Sequence, residues 1–229
     1  METTGIAADT TFTKSAKTLG IVAAWMAFIV SEIYAVVSGL AYASQGAAVE
    51  SGPFLSVMAL LVVVMGPFLV LSMVVVHSYA LPRRKPYSLS ALICMALCMA
   101  ITSCINFSLL MVNSQPNLFA ESWRSLFLPC KWPAPAFILD NFVWDWFSGL
   151  SMLFAAPVFS GDKLKTALRF VMILSGALCL AGLAWLAVSP TQGILIGILG
   201  WGAAGPIAFL LLARVFGSAQ AANEAASAL

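Results

Sequence analysis

Apolar residues in this chain come in long blocks, not in the every-third-or-fourth pattern of a helix with one wet face. Six stretches, roughly 19–41, 53–80, 89–112, 136–159, 166–188 and 193–216, are apolar on nearly every helical face. Short polar or proline-containing connectors separate them. A helix of about 20 residues, rising about 1.5 Å each, crosses the roughly 30 Å hydrocarbon layer of a bilayer. A helix that is apolar all round must face a large core or lipid. The pattern therefore predicts an all-α membrane protein, a six-transmembrane helical bundle spanning residues 18–216. The Thr-rich residues 1–17 and the Ala-rich residues 217–229 read as flexible tails unable to pack a core.

Two segments modify this reading. Ala41-Tyr42-Ala43 before Ser44 has the small-residue form of a signal-peptidase site, which would leave five spans; the length of the preceding run and Glu32 inside it weigh against cleavage. The connector 113–135 is the longest. Within it Leu118, Phe119, Trp123, Leu126 and Phe127 share one helical face, which predicts a short helix lying in the membrane interface. An irregular loop anchored by aromatic side chains is the competing reading.

Composition settles the class. Of 229 residues, 62% are hydrophobic and 9% are charged, against about 25% charged in soluble domains. A formal net charge of +2 with no basic stripe argues against a nucleic-acid partner. The cysteines at 94, 98, 104, 130 and 179 form no C-x-x-C pair and no metal-type spacing with the lone His77. No metal and no cofactor is expected, and one histidine excludes bis-histidine haem ligation within the chain.

Charge placement adds an orientation, because Lys and Arg near spans are retained on the cytoplasmic side. With the N-terminus inside, Lys14, Lys17, Arg83, Arg84, Lys85, Lys163, Lys165, Arg169 and Arg214 fall in the cytoplasm, and only Arg124 and Lys131 fall outside. Nine against two predicts a multi-pass protein of the cell inner (plasma) membrane with both termini cytoplasmic. Arg83, Arg84 and Lys85 would then also meet anionic lipid. His77, a turn from that loop, reads as an interfacial side chain or a proton-handling one.

Gly200-Trp201-Gly202-Ala203-Ala204-Gly205 matches G-x-G-x-x-G, but the dinucleotide fingerprint needs a preceding strand, and this match sits inside a span. Gly193, Gly197 and Gly200, with Ala204, read instead as a small face that admits the fifth span through Ser175, Gly176, Cys179 and Gly182. Gly66-Pro67 and Gly205-Pro206 mark sites where a span kinks. No H-E-x-x-H, G-x-S-x-G or Walker pattern is present, so the common metalloprotease, hydrolase and NTPase mechanisms lose their usual support.

What remains is polar chemistry inside the spans, where an ionisable side chain costs on the order of 3 kcal/mol and marks a site or pathway by default. Counting from the span ends puts Glu32 and Asp145 both about 13 Å below the outer boundary, and Asn106 about 9 Å below it. Asn141, Asp145 and Ser148 share a helical face, with Asp140 and Trp144 adjacent, and Thr102, Ser103 and Asn106 form a second stripe. In one reading Glu32, Asn106, Asp140, Asn141, Asp145 and Trp144 build an outward-facing site for a cationic, amine-bearing or proton-coupled solute; burial disfavours a charged carboxylate, which suits proton coupling. In the other, Asp140 and Asp145 pair with Arg124 or Lys131, and Glu32 bonds to Asn106. Three functions are compatible with these residues: a binding or transport protein for a small solute; a membrane enzyme acting on a lipid or isoprenoid-like substrate by carboxylate acid/base catalysis; and a non-catalytic subunit of a larger membrane complex, docked through the glycine face. The lipid bilayer is a partner in all three.

Overall fold

The computed structural model describes residues 12–45, 52–128 and 130–219. Its elements are helical: α1 (Lys14–Gln45), α2 (Pro53–Tyr79), α3 (Lys85–Ser114), α4 (Glu121–Phe127), α5 (Pro135–Val143), α6 (Gly149–Ala155), α7 (Lys163–Trp185), α8 (Pro190–Ile198) and α9 (Gly205–Ser218). No strand occurs among the described residues. Five helical segments are long and apolar enough to cross a membrane: Lys14–Ser44, Pro53–Tyr79, Pro82–Ser114, Lys163–Trp185 and Pro190–Ser218. The chain is a multi-pass membrane protein whose helices contact the lipid bilayer.

The predicted segment 136–159 is not one of the five. It is helical in pieces: α5, a π turn over Trp144–Ser148, α6 and a short 3-10 turn over Ala156–Val158. Two aspartates, an asparagine and two tryptophans in its first half lower its apolar character. A second π turn, Leu199–Ala204, joins α8 to α9 inside the last apolar segment, and Gly205-Pro206 opens α9 immediately after it. Proline removes one helical N–H, and here that loss falls beside the change of register at the π turn. At Gly66-Pro67, by contrast, α2 runs on as one helix.

Most of the predicted tails lie outside the described residues. Where they overlap them, α1 starts at Lys14, α9 runs to Ser218, and Phe12 corrects the expectation that residues 1–17 cannot pack. Its ring is buried against Tyr79 (centroids 5.3 Å apart) and Phe216 (6.2 Å), and Tyr79 stacks on Phe159 at 5.9 Å. This aromatic plug fills the space where several helix ends meet. Arg84 ties the same end together, donating from Nη1 to the Val158 carbonyl and to Ser160 Oγ, each at 2.9 Å. The Lys85 ammonium caps the His77 carbonyl at 2.6 Å, and His77 Nδ1 lies 2.9 Å from Ser88 Oγ. At the opposite end Asn113 Nδ2 donates to the Gly52 carbonyl (2.9 Å) and to Ser56 Oγ (2.7 Å), locking α3 to the start of α2.

Small residues set how closely the helices approach, since lipid gives no hydrophobic drive for one helix to seek another. Gly20 of α1 sits where an added Cβ would lie 2.6 Å from Val75 and 2.8 Å from Phe216. The α7–α8 pair is built likewise. A Cβ on Gly182 would meet the Gly197 backbone at 2.5 Å, and one on Gly193 would meet Leu186 at 2.7 Å. Gly200 faces Cys179 and the Ser175 carbonyl, and Ser175 Oγ in turn donates to the Gly200 carbonyl at 2.9 Å. Gly176 points elsewhere: its contacts are Gly149 and Leu153 of α6, so α7 carries two small faces, one per neighbour. The connector 113–135 holds the short helix α4, with Trp123 and Leu126 exposed and Phe127 turned onto Ala41, Leu55 and Leu109.

Candidate binding cavity

Thr102, fully buried on α3, organises the polar interior. Its hydroxyl donates to Asp140 Oδ1 and accepts from Trp144 Nε1 at 3.1 Å and from Asn106 Nδ2 at 3.2 Å. One hydroxyl has one proton and two lone pairs, so all its bonding capacity is used. Asn106 also donates to the Thr102 carbonyl (2.9 Å) and to Asp140 Oδ1 (3.3 Å). These bonds use only Oδ1 of the Asp140 carboxylate. Asp140 and Trp144, four residues apart at the junction of α5 with the π turn, share a face and reach the same hydroxyl.

That face opens on a cavity of about 310 Å³, within the size range of small-molecule pockets. Ser31, Tyr34 and Ser38 of α1 form one wall; Met58, Val62 and Met65 of α2 form the next; Asp140, Trp144 and Ser148 stand opposite; Trp201, Gly202 and Phe209 complete the lining. The Trp144 and Trp201 rings meet at 5.3 Å, so the two π turns touch through their tryptophans. A π turn carries one residue more than the α repeat and so rotates the helix beyond it, a device frequent at functional sites. The walls are mostly apolar, with the carboxylate of Asp140 as the cavity's acidic group.

The predicted site residues separate into groups. Asn106, Asp140 and Trp144 come together as described. Asn141 is buried but spends its amide on its own helix, donating to the Phe137 carbonyl at 2.8 Å. Asp145 is 1% exposed and lies against Gly197, and neither carboxylate oxygen has a hydrogen-bond partner. Glu32 is exposed on α1 and does not line the cavity. The expected pairing of Glu32 with Asp145 across one site is therefore not formed: a common depth does not give a common direction, and the two side chains leave their helices toward different neighbours. Of the alternative partners, Arg124 and Asn106 are engaged elsewhere. Arg124 pairs with Glu121 at 3.3 Å, and Asn106 bonds to Thr102 and Asp140. In the basic turn, Arg83 is exposed while Arg84 and Lys85 hold backbone carbonyls.

Tyr34, Ser38 and Trp201 are lining residues that the sequence pattern did not single out. Ser31, Tyr34, Ser38 and Tyr42 recur at three- and four-residue steps along α1, a polar stripe that was readable. Trp201 carried no such signal, because its direction depends on the π turn. Comparisons with protein-family models, with curated proteins and with solved structures find no match.

Proposed function

We propose that the chain is a six-span protein of the cell inner membrane, with both termini cytoplasmic, that binds a small amine-bearing molecule in this cavity and carries it as a transporter. Two features support the topology. The α5–π–α6 path leads from Cys130, packed beside Leu55 and Leu109, to Val158, bonded to Arg84 at the other end of the bundle. Lys14, Arg84, Lys85 and Lys163 belong to that second end, and Arg124 and Lys131 to the first, so the charge rule gives both ends a side.

The observation that carries the binding reading is a single carboxylate facing a mostly apolar and aromatic cavity whose other polar groups are neutral hydroxyls. Thr102 and Asn106 orient Asp140 through Oδ1 and leave Oδ2 for a ligand. A cationic amine meeting it there gains a charge-assisted hydrogen bond away from water, and the faces of Trp144 and Trp201 offer cation–π and stacking contacts to the rest of the molecule. The methionines of α2, α3 and α6 can repack around different apolar bodies.

The test uses purified protein in nanodiscs and dansylcadaverine, an aromatic body with a primary amine, read by energy transfer from tryptophan. Asp140→Asn should weaken binding roughly 10- to 100-fold, the equivalent of about 1.5–3 kcal/mol for a hydrogen bond to a charged group, with unchanged folded yield. Equal affinity in Asp140→Asn and wild type would refute the reading.

A further inference from the structure

The cavity's exit lies at the side of the bundle. Of its α1 lining residues, Ala35 and Gly39 are themselves exposed, and an added Cβ on Gly39 would meet nothing within 4 Å. Helix α1 packs along α2 and, at its N-terminal half, against α9, but makes no comparable contact with α8 or with the π turn Leu199–Ala204. Ile198, Trp201 and Gly202 nevertheless share the cavity with it. A slot therefore runs between α1 and that π turn, on a flank where the surrounding medium is lipid. Toward the connector, Phe127, Leu128 and Cys130 pack against the cluster formed by Ala41, Leu55, Met58, Ala59 and Leu109.

Glu32 stands at the rim of this slot. It precedes Ala35 by three residues and Gly39 by seven, which puts it on the same edge of α1, and it is exposed there. A carboxylate turned toward hydrocarbon is costly and marks a functional position by default. The sequence holds no Lys or Arg between Lys17 and Arg83, so α1 and α2 offer it no cation within the bilayer. A cation arriving from the membrane would supply one.

We propose that the cavity fills sideways from the bilayer, through the slot between α1 and the π turn, and that its ligands are membrane-soluble amines met first by Glu32 at the rim and then by Asp140 inside. This rests on the cavity being the binding site proposed above. An amine with an apolar body partitions into the bilayer with its charged group near the headgroups; Glu32 and Asp140 then form two acidic stations leading inward, one exposed and one held by Thr102 and Asn106.

The test is the rate of dansylcadaverine association in nanodiscs by stopped-flow energy transfer. Gly39→Trp fills open space and blocks the slot, so association and dissociation should both slow at least ten-fold. Gly202→Leu, on the facing wall where a Cβ has only Ile198 at 3.4 Å, should slow them likewise and guards against one variant failing to fold. Glu32→Gln should slow association several-fold and leave the dissociation rate unchanged. Wild-type rates in both slot variants would overturn the lateral route while leaving the cavity reading intact, and a wild-type association rate in Glu32→Gln would remove Glu32 from it. Absence of any wild-type binding would overturn the cavity reading and the route together.

Discussion

Gly197 stands so close to Asp145 that a Cβ on the glycine would overlap the carboxylate. The contact joins the first π turn to α8, and the carboxylate that makes it is buried without a hydrogen-bond partner. The space on one helix is thus reserved for a side chain on the other, and Asp145 serves the packing of α8 where Asp140 serves the cavity.

Gly197→Ala should therefore destabilise the protein by roughly 1–3 kcal/mol, the usual cost of overpacking. Asp145→Ala vacates the space, so the double variant should recover most of that loss. Thermal denaturation of the wild type and the three variants in one detergent gives the coupling, expected in the range of about 0.5–3 kcal/mol for residues in contact. Strict additivity would show that the two side chains do not share this space.

Cys130 reports on Asp140 from the other side. Burial, and after it the nearby Asp140 carboxylate, push the thiol up to about 12. The thiolate is the reacting species, so at about pH 8 very little of this thiol is ionised. In a variant keeping Cys130 as its single cysteine, iodoacetamide should react slowly, and adding Asp140→Asn should accelerate it several-fold by removing the opposing charge. Identical alkylation rates would mean that Asp140 does not face this thiol.

The spans of α1, α2, α3 and α7 were legible because run length alone identifies a membrane helix, and the glycine contacts of α7 with α8 were legible because close approach requires small residues. Directions were harder to read. In water a helix declares its buried face by contrast with a polar exterior; in lipid the outward face of α1 is apolar too, and without the Ser31, Tyr34, Ser38 and Tyr42 stripe as a reference Glu32 could be given a depth but not a phase. The π turns at Trp144–Ser148 and Leu199–Ala204 compound this, since each extra residue shifts the face of everything beyond it. Asp140 and Trp144, four residues apart, stay on one face with Asn106 across from them, whereas Asp145, five residues from Asp140 and so turned by about 140°, faces α8.

The start of α7 offers a pH-dependent test outside the membrane. Asp162 caps this helix: its Oδ1 accepts the Lys165 backbone N–H at 2.9 Å, and Oδ2 lies 3.2 Å from the Lys165 ammonium. That backbone hydrogen bond first, and the Lys165 side chain with it, hold the Asp162 carboxyl below the usual carboxylate range. A carboxyl whose folded pKa is depressed contributes stability that is fully present above its unfolded value, about 3.9, and is lost as pH falls through the folded value. Asp162→Ala should therefore lower Tm at neutral pH, with the gap to wild type closing as pH drops below about 4. Asp162→Asn retains an acceptor for the Lys165 N–H without the charge, so it should fall between the two and show the weaker pH dependence. A gap between wild type and Asp162→Ala that stays constant from neutral pH to about pH 2 would mean that the charge of Asp162 contributes nothing at this helix start, leaving the cap a matter of geometry alone.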